Sequence, residues 1–339
     1  MFQVEPILWL QQFSGTWFAD FMWLMSEIGR EWVYMPVVLL LMFAIRLRPG
    51  LGVVLALVLC GLLTASLKHG FALPRPADVD LRVVDKGEEV RALVADGAGK
   101  AFWDLPSNEA IAAVRAEPDP SFGFVSGHVA SALTLVLSLA LFFGVRSRWV
   151  WGFVVIWPLL MGLSRMFLGR HFLADVLGGL LIGTLASLLA WWLLPRLQRV
   201  DAQGRWLTAA LVGACAIGAG LGTQISWLSP GGLGQVAGVV LCIAVLALRG
   251  MPLDAVSLPR RIGRLLLALL IATSVDIGVK WVYAGTGLGD DHFGAFLAAV
   301  VGYLLGLGGA VMAAQGLRLY APGDQALHVR GAPAPLAGR

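Results

Sequence analysis

The sequence predicts an all-α protein: a polytopic membrane helical bundle with a core of five to six helices and about four more helices towards the C-terminus. Three observations carry this. Hydrophobic residues make up 58% of the 339 residues and charged residues only 14%, against about a quarter charged in a soluble domain. Mean hydropathy is +0.80, and several apolar runs reach the roughly 17–20 residues that cross a bilayer. Basic residues gather in alternate short loops between those runs. That placement also accounts for the net charge of +4 and the pI near 9.2 without a nucleic-acid partner.

Residues 1–30 mix Trp9, Phe13, Trp17, Phe18, Phe21 and Trp23 with Glu5, Asp20 and Glu27, which fits an interfacial amphipathic segment or a poor first span. A core over 31–195 follows, with spans at Trp32–Ile45, Leu51–Leu67, Ser126–Gly144, Trp149–Leu168 and His171–Leu194. An insertion at 77–121 interrupts it; ten acids against five bases leave this stretch at −5. Its three prolines mark an extramembrane loop, with a short helix expected near Asn108–Arg115. A second bundle at 206–317 has spans at Trp206–Ile225, Leu233–Leu248, Ile262–Tyr283 and Phe293–Leu317. The tail 318–339, rich in Ala, Pro and Gly, is expected to be disordered.

Loop charge sets the orientation. Arg46/Arg48, Arg146/Arg148, Arg196/Arg199/Arg205, Arg249/Arg260/Arg261 and Arg318 fall on one side, the acidic insertion and the Ser164–His171 corner on the other. The positive-inside rule puts the arginines in the cytoplasm and the corner outside, in the periplasm of a bacterial inner membrane. Cys60, Cys215 and Cys242 lie in apolar runs, so no disulfide framework is expected. The first residues lack a basic n-region and a small-residue cleavage site, so no cleaved signal peptide is expected.

Three polar clusters fall at the outer ends of spans. Lys68 and Arg75-Pro76 place two cations beside an apolar wall, where they either hold an anion or snorkel to the interface. A proline pair is expected to stop the helix after Lys68 and fold Arg75 back over it. Ser126-Gly127-His128 opens an apolar run: Ser126 can cap a helix whose first N–H groups attract an anion, Gly127 admits a phosphate to the backbone, and His128 can donate a proton. The bland reading is a capped helix with an incidental histidine. Ser164–Asp175 contains Arg165, Arg170, His171 and Asp175. A helix beginning near His171 would let Asp175 accept from Nδ1–H and leave Nε2 free to attack an electrophile. A polar helix–helix turn is the alternative.

Together these clusters supply two histidines, an aspartate, several cations and a helix N-terminus, which is an inventory for phosphoryl transfer without a metal or other cofactor. Lys68-x6-Arg75-Pro76, Ser126-Gly127-His128 and Ser164-Arg165-x5-His171-x3-Asp175 resemble, in order and spacing, the signature of the type 2 phosphatidic acid phosphatase superfamily over roughly residues 30–195. That superfamily joins membrane lipid phosphatases to soluble vanadium haloperoxidases. The resemblance implies that His171 attacks phosphorus, Asp175 orients it, and His128 protonates the leaving oxygen and then activates water. It implies phosphate binding by Lys68, Arg75, Ser126, Gly127 and Arg165. The family usually has proline before Ser-Gly-His; here it is Val125, a change expected to loosen the phosphate cradle.

The expected activity is hydrolysis of a phospholipid or polyprenyl phosphate at the periplasmic face, with undecaprenyl diphosphate or phosphatidylglycerophosphate as candidate substrates. A lipid phosphotransferase on the same scaffold, or a lipid transporter with a phosphatase-like half, are the alternatives. In the last third, the glycines Gly213, Gly218, Gly220, Gly222, Gly302, Gly306, Gly308 and Gly309 point to close helix packing. Asp276 and Lys280 are spaced to pair on one helix, and Asp290-Asp291-His292 is a weak metal candidate.

Overall fold

The computed structural model describes residues 1–13, 15–86, 93–198, 209, 213, 227–254, 256–286 and 292–321. They form an α-helical bundle without β-strands; two isolated bridges, Asp80 with Asp96 and Leu253 with Ala321, are the β-type pairings among them. The helices are α1 (Glu5–Gln11), α2 (Thr16–Ile28), α3 (Glu31–Ile45), α4 (Leu47–Phe71), α5 (Pro76–Val79) and α6 (Asn108–Arg115). They continue with α7 (Gly127–Phe142), α8 (Arg148–Phe167), α9 (Leu173–Leu197), α10 (Pro230–Arg249), α11 (Leu258–Thr286) and α12 (His292–Gly316). Among the described residues six helices are long and apolar enough to cross a membrane, and α2 with α3, bent by 51°, makes a seventh if the pair is one span. The sixteen-residue α7 is shorter but apolar. Eight of the nine expected spans coincide with helices; Trp206–Ile225, residues 209 and 213 apart, lies outside the described residues.

The centre of the bundle is α4. Its uniform apolarity suits a helix surrounded by protein, and it packs against α7, α9 and α10. Small residues let α7 and α9 approach. A Cβ on Gly179 would lie 2.7 Å from the Ser126 carbonyl, and one on Gly183 2.7 Å from the Ala130 carbonyl. In the C-terminal half the tightest approaches fall on α10. A Cβ on Gly234 would meet the Phe296 carbonyl and one on Gly238 Tyr303 Cβ at 2.9 Å; of the expected positions, one on Gly308 would touch Cys242 Sγ at 3.4 Å, whereas those on Gly213, Gly302, Gly306 and Gly309 would meet nothing within 4 Å. Glycine composition alone does not tell which helix of a pair carries the small surface. Gly218, Gly220 and Gly222 lie outside the described residues.

The arginine-rich loops collect at one end of the bundle. The backbone N–H of Leu47, which opens α4, donates to Asp254 just before α11 (3.1 Å), and Arg264 pairs with the same carboxylate (3.1 Å). Arg148 opens α8, while Arg196 and Arg249 lie in the last turns of α9 and α10. At the other end, the Ser229 N–H that precedes α10 donates to Ser66 Oγ near the end of α4 (3.4 Å).

The insertion folds against the N-terminal helices. Ala77, Val79, Val83 and Ala110 share a buried cluster with Phe2, Val4, Ile7 and Leu10. Gln11 ties the pieces together: its Nε2 donates to the carbonyls of Val84 (2.7 Å) and Phe167 (2.9 Å), and its Oε1 accepts from Val84 N–H (3.1 Å). Within the insertion α6 occupies Asn108–Arg115 as expected, with Ser107 Oγ accepting from Ala110 N–H (3.2 Å). The outer faces of α1 and α2 carry exposed Trp9, Trp17 and Trp23, while Ile7, Leu10, Met22 and Met25 are buried.

Candidate active site

Three separated chain segments meet at the end of the bundle opposite the arginine loops. The first is the C-terminus of α4. This helix runs one turn beyond Lys68, to Phe71, instead of stopping at it. Its terminator is Ala72 in the left-handed conformation (φ 48°), whose N–H returns to the Lys68 carbonyl at 2.9 Å. The prolines expected to end the helix lie beyond this turn. Lys68 Nζ donates to the Phe122 carbonyl (3.3 Å). The N–H of Arg75 donates to Asp78 Oδ2 (2.8 Å), which fixes the start of α5. Burial pushes the Asp78 carboxyl above its usual range.

The second segment leads into α7. Ser126 occupies the N-cap position and is fully buried, but its hydroxyl makes no capping hydrogen bond, and Oγ has no partner among the described residues. The capping position was legible in the sequence; the side chain is left available instead of being used on the helix. The Ser126 N–H donates to the Asp175 carbonyl (3.0 Å), so α7 starts against α9. Upstream, a Cβ on Gly123 would lie 2.8 Å from the Pro74 carbonyl and 3.3 Å from Asp175 Oδ2. Only glycine threads that gap. Val125 is buried and lies within packing reach of Gly178.

The third segment is the α8–α9 corner, turned at Gly169 (φ 73°). Arg165 is buried near the end of α8. Its Nη1 donates to Ser26 Oγ on α2 (2.6 Å), and its Nε has no partner among the described residues. Arg170 Nη1 pairs with Asp85 of the insertion at 2.8 Å, with both side chains about nine-tenths buried. His171 precedes α9 instead of lying on it, because the helix begins at Leu173 with Phe172 as its N-cap. Asp175 still reaches the ring. Its Oδ2 accepts from the Phe172 N–H (2.9 Å) and lies 3.2 Å from His171 Nδ1, so one carboxylate oxygen both caps α9 and meets the imidazole. The four-residue spacing therefore works through cap geometry and not through a shared helix face. With Asp175 facing Nδ1, the proton is assigned to Nδ1 and Nε2 is left as the basic atom. Burial, then the charges of Arg165, Lys68 and Arg75, push the His171 imidazole well below its usual range.

All eight residues expected from the sequence belong to these three segments. Four of their buried polar atoms are unpaired among the described residues: Ser126 Oγ, His128 Nε2, Arg165 Nε and Asp175 Oδ1. A cavity of about 1100 Å³ reaches Lys68, Gly127 and His128 from the side of α3 and α11. A smaller one, about 420 Å³, is lined by Arg75, Arg170 and acids of the insertion.

Other contributors carry no motif. Ser26 grips Arg165 across 139 residues of chain. Phe2 packs on Phe172, ring centroids 5.5 Å apart, beside the corner. Gly29, at the bend between α2 and α3, lies so near His128 that a Cβ would be 3.2 Å from its Cδ2. Among the described residues no group of three or more His, Cys, Asp or Glu side chains could hold a metal. Asp290 and Asp291 lie outside those residues.

Comparison with known proteins gives four findings. A family model described as the PAP2 superfamily matches residues 49–199. A lipid A 4'-phosphatase of Bacteroides thetaiotaomicron is 33% identical over 76 residues, which cover 22% of this chain and 33% of the relative. An undecaprenyl-diphosphatase of Sulfolobus acidocaldarius is 26% identical over 168 residues, 49% of this chain and 66% of the relative. The chain thus spans less than two-thirds of either curated relative. Among solved structures, the crystal structure of LpxE from Aquifex aeolicus aligns with a TM-score of 0.40 and 21% identity, covering 56% of this chain and 94% of the other.

Proposed function

We propose that this chain, whose residues 49–199 match the PAP2 superfamily model, is a membrane lipid phosphatase working through a phosphohistidine. The observation that carries the proposal is the convergence of Lys68/Arg75, Ser126/Gly127/His128 and Arg165/His171/Asp175 at one bundle end, with unpaired polar atoms on Ser126, His128, Arg165 and Asp175. Buried polar atoms without partners are costly unless a ligand completes them. A phosphate group would do so.

In the proposed reaction Lys68, Arg75, Arg165, Ser126 and the Gly127 backbone hold the non-bridging oxygens. Nε2 of His171 attacks phosphorus as the bond to the lipid oxygen breaks, and His128 supplies the proton that this oxygen takes. His128, now neutral, removes a proton from a water molecule that attacks the phosphohistidine. Inorganic phosphate leaves and His171 is regenerated. Asp175 supports the positive charge that the ring acquires in the first step. The cations and the α7 N-terminus supply the electrostatics.

Charge supports one side of the membrane. Arginines occupy one end of the bundle and the site occupies the other, and under the positive-inside rule the proposed chemistry opens to the periplasmic face of an inner membrane. Phosphatidylglycerophosphate and polyprenyl diphosphates are the substrate classes proposed. The test is phosphate release by purified protein from a panel containing undecaprenyl diphosphate, phosphatidylglycerophosphate, phosphatidic acid and lipid A, each with and without an acceptor lipid. Free phosphate without acceptor is expected. Release that requires acceptor would make the protein a phosphotransferase, and no turnover of any lipid would overturn the proposal.

A further inference from the structure

The large cavity is not walled by the family-matched segment alone. It runs from Lys68 and His128 inward along α4 through Thr64 to Leu57, and its opposite wall is α11. Thr273, Asp276 and Lys280 of α11 line it, and their three- and four-residue spacing places them on one helical face. Asp276 and Lys280 pair at 2.8 Å, yet their side chains stay 60% and 73% exposed. Charges on a helix of this apolarity are expensive where they meet lipid. Turned into a cavity that also holds Lys68 and His128, they meet whatever polar group occupies it.

The direction of the cavity says which part of a substrate that is. Both α4 and α11 run from the arginine end to the site end of the bundle. From Lys68 to Leu57 the wall descends about 16 Å, and from Lys280 to Ala272 about 12 Å, at 1.5 Å per residue. A lipid with its terminal phosphate at Lys68 and His128 would lay its chain down this wall. The group joining phosphate to chain then faces Thr273, Asp276 and Lys280. Apart from Lys68 the ionic lining is balanced, with Arg30 and Lys280 against Glu31 and Asp276. A carboxylate repels a second phosphate but accepts from a hydroxyl, and the ammonium donates to one.

We infer that Asp276 and Lys280 form a leaving-group subsite that selects a phosphomonoester carried on a hydroxyl-bearing headgroup, such as a sugar or glycerol, over a bare alkyl phosphate or a diphosphate. The inference rests on the phosphatase reading above and narrows its two substrate classes to the first, phosphomonoesters of the phosphatidylglycerophosphate kind. It assigns α11, which lies outside residues 49–199, a specificity role.

Three probes of equal chain length test it: dodecyl phosphate, dodecyl glucoside 6-phosphate and dodecyl diphosphate. Phosphate release is measured for wild type, Asp276→Ala, Asp276→Asn and Lys280→Ala. Both alanine variants are expected to lower kcat/KM for the glucoside phosphate about tenfold, mainly through KM, and for dodecyl phosphate less than twofold. Asp276→Asn, which retains an acceptor, should recover part of the loss. Loss of turnover on the diphosphate should be no greater than on dodecyl phosphate. Equal losses on all three probes would mean a merely structural role, and an unchanged glucoside phosphate rate or a loss confined to the diphosphate would also overturn the inference. Wild-type protein inert towards all three would overturn the phosphatase reading itself.

Discussion

Replacing Asp175 by asparagine separates the two tasks that its carboxylate performs. Oδ2 accepts from the Phe172 N–H at 2.9 Å, which caps α9, and faces His171 Nδ1 at 3.2 Å. Asparagine keeps an oxygen for the cap but removes the negative charge behind the imidazole. The lost term is a hydrogen bond to a charged group, worth about 1.5–3 kcal/mol. If it is realised in full only as the ring becomes cationic, kcat falls about ten- to 150-fold. Thermal unfolding should change little. Asp175→Ala also orphans the buried Phe172 N–H, which adds a stability loss of about 1–3 kcal/mol. The assay pairs initial rates of phosphate release from a detergent-solubilised lipid phosphate with thermal unfolding of the same samples. Wild-type kcat in Asp175→Asn would refute the orienting role. A stability loss in Asp175→Asn equal to that of Asp175→Ala would refute the separation of cap from catalysis.

Three further predictions follow from the geometry. Gly179→Ala should destabilise the protein by about 1–3 kcal/mol and reduce turnover, because the new Cβ would lie 2.7 Å from the Ser126 carbonyl; Gly152→Ala, with nothing within 4 Å, is the control in thermal unfolding and rate assays. Turnover should persist in EDTA and fall with orthovanadate, which mimics pentacoordinate phosphorus; strong EDTA inhibition reversed by one particular metal would contradict the electrostatic scheme. In intact cells a membrane-impermeant maleimide should label Asp96→Cys in the insertion and spare Ser147→Cys between α7 and α8, both exposed positions; the reverse pattern would put the site in the cytoplasm.

Much of this architecture was legible because bilayer crossing demands long apolar runs, and because helix ends carry local chemistry. The Asn108–Arg115 helix emerged between the prolines of the insertion, and the Asp276–Lys280 pair from its spacing. The motif residues were legible as types and spacings, yet their supports were not. Ser26 reaches Arg165, Gln11 reaches Phe167, and Asp85 reaches Arg170 across 139, 156 and 85 residues of chain. None of those partners stands in a pattern that a local reading detects. Ala72 ends α4 in a left-handed turn usually given to glycine, so the helix end was set too early at Lys68. The apolar face of residues 1–28 shows in its spacing, but its partner, the α8 helix and the insertion, is fixed only by the tertiary fold.

The central claim is that His171 carries the phosphoryl group between lipid and water. Rapid acid-free quenching of enzyme with a labelled lipid phosphate, followed by peptide mass spectrometry, tests it directly. The account predicts a base-stable phosphoryl group on the imidazole of His171. In His128→Ala it should form more slowly but, once formed, persist longer because its hydrolysis is slowed, and it should be absent in His171→Ala. Label on another residue, or phosphate release by His171→Ala within about tenfold of wild type, would contradict it, because loss of a covalent nucleophile costs several orders of magnitude.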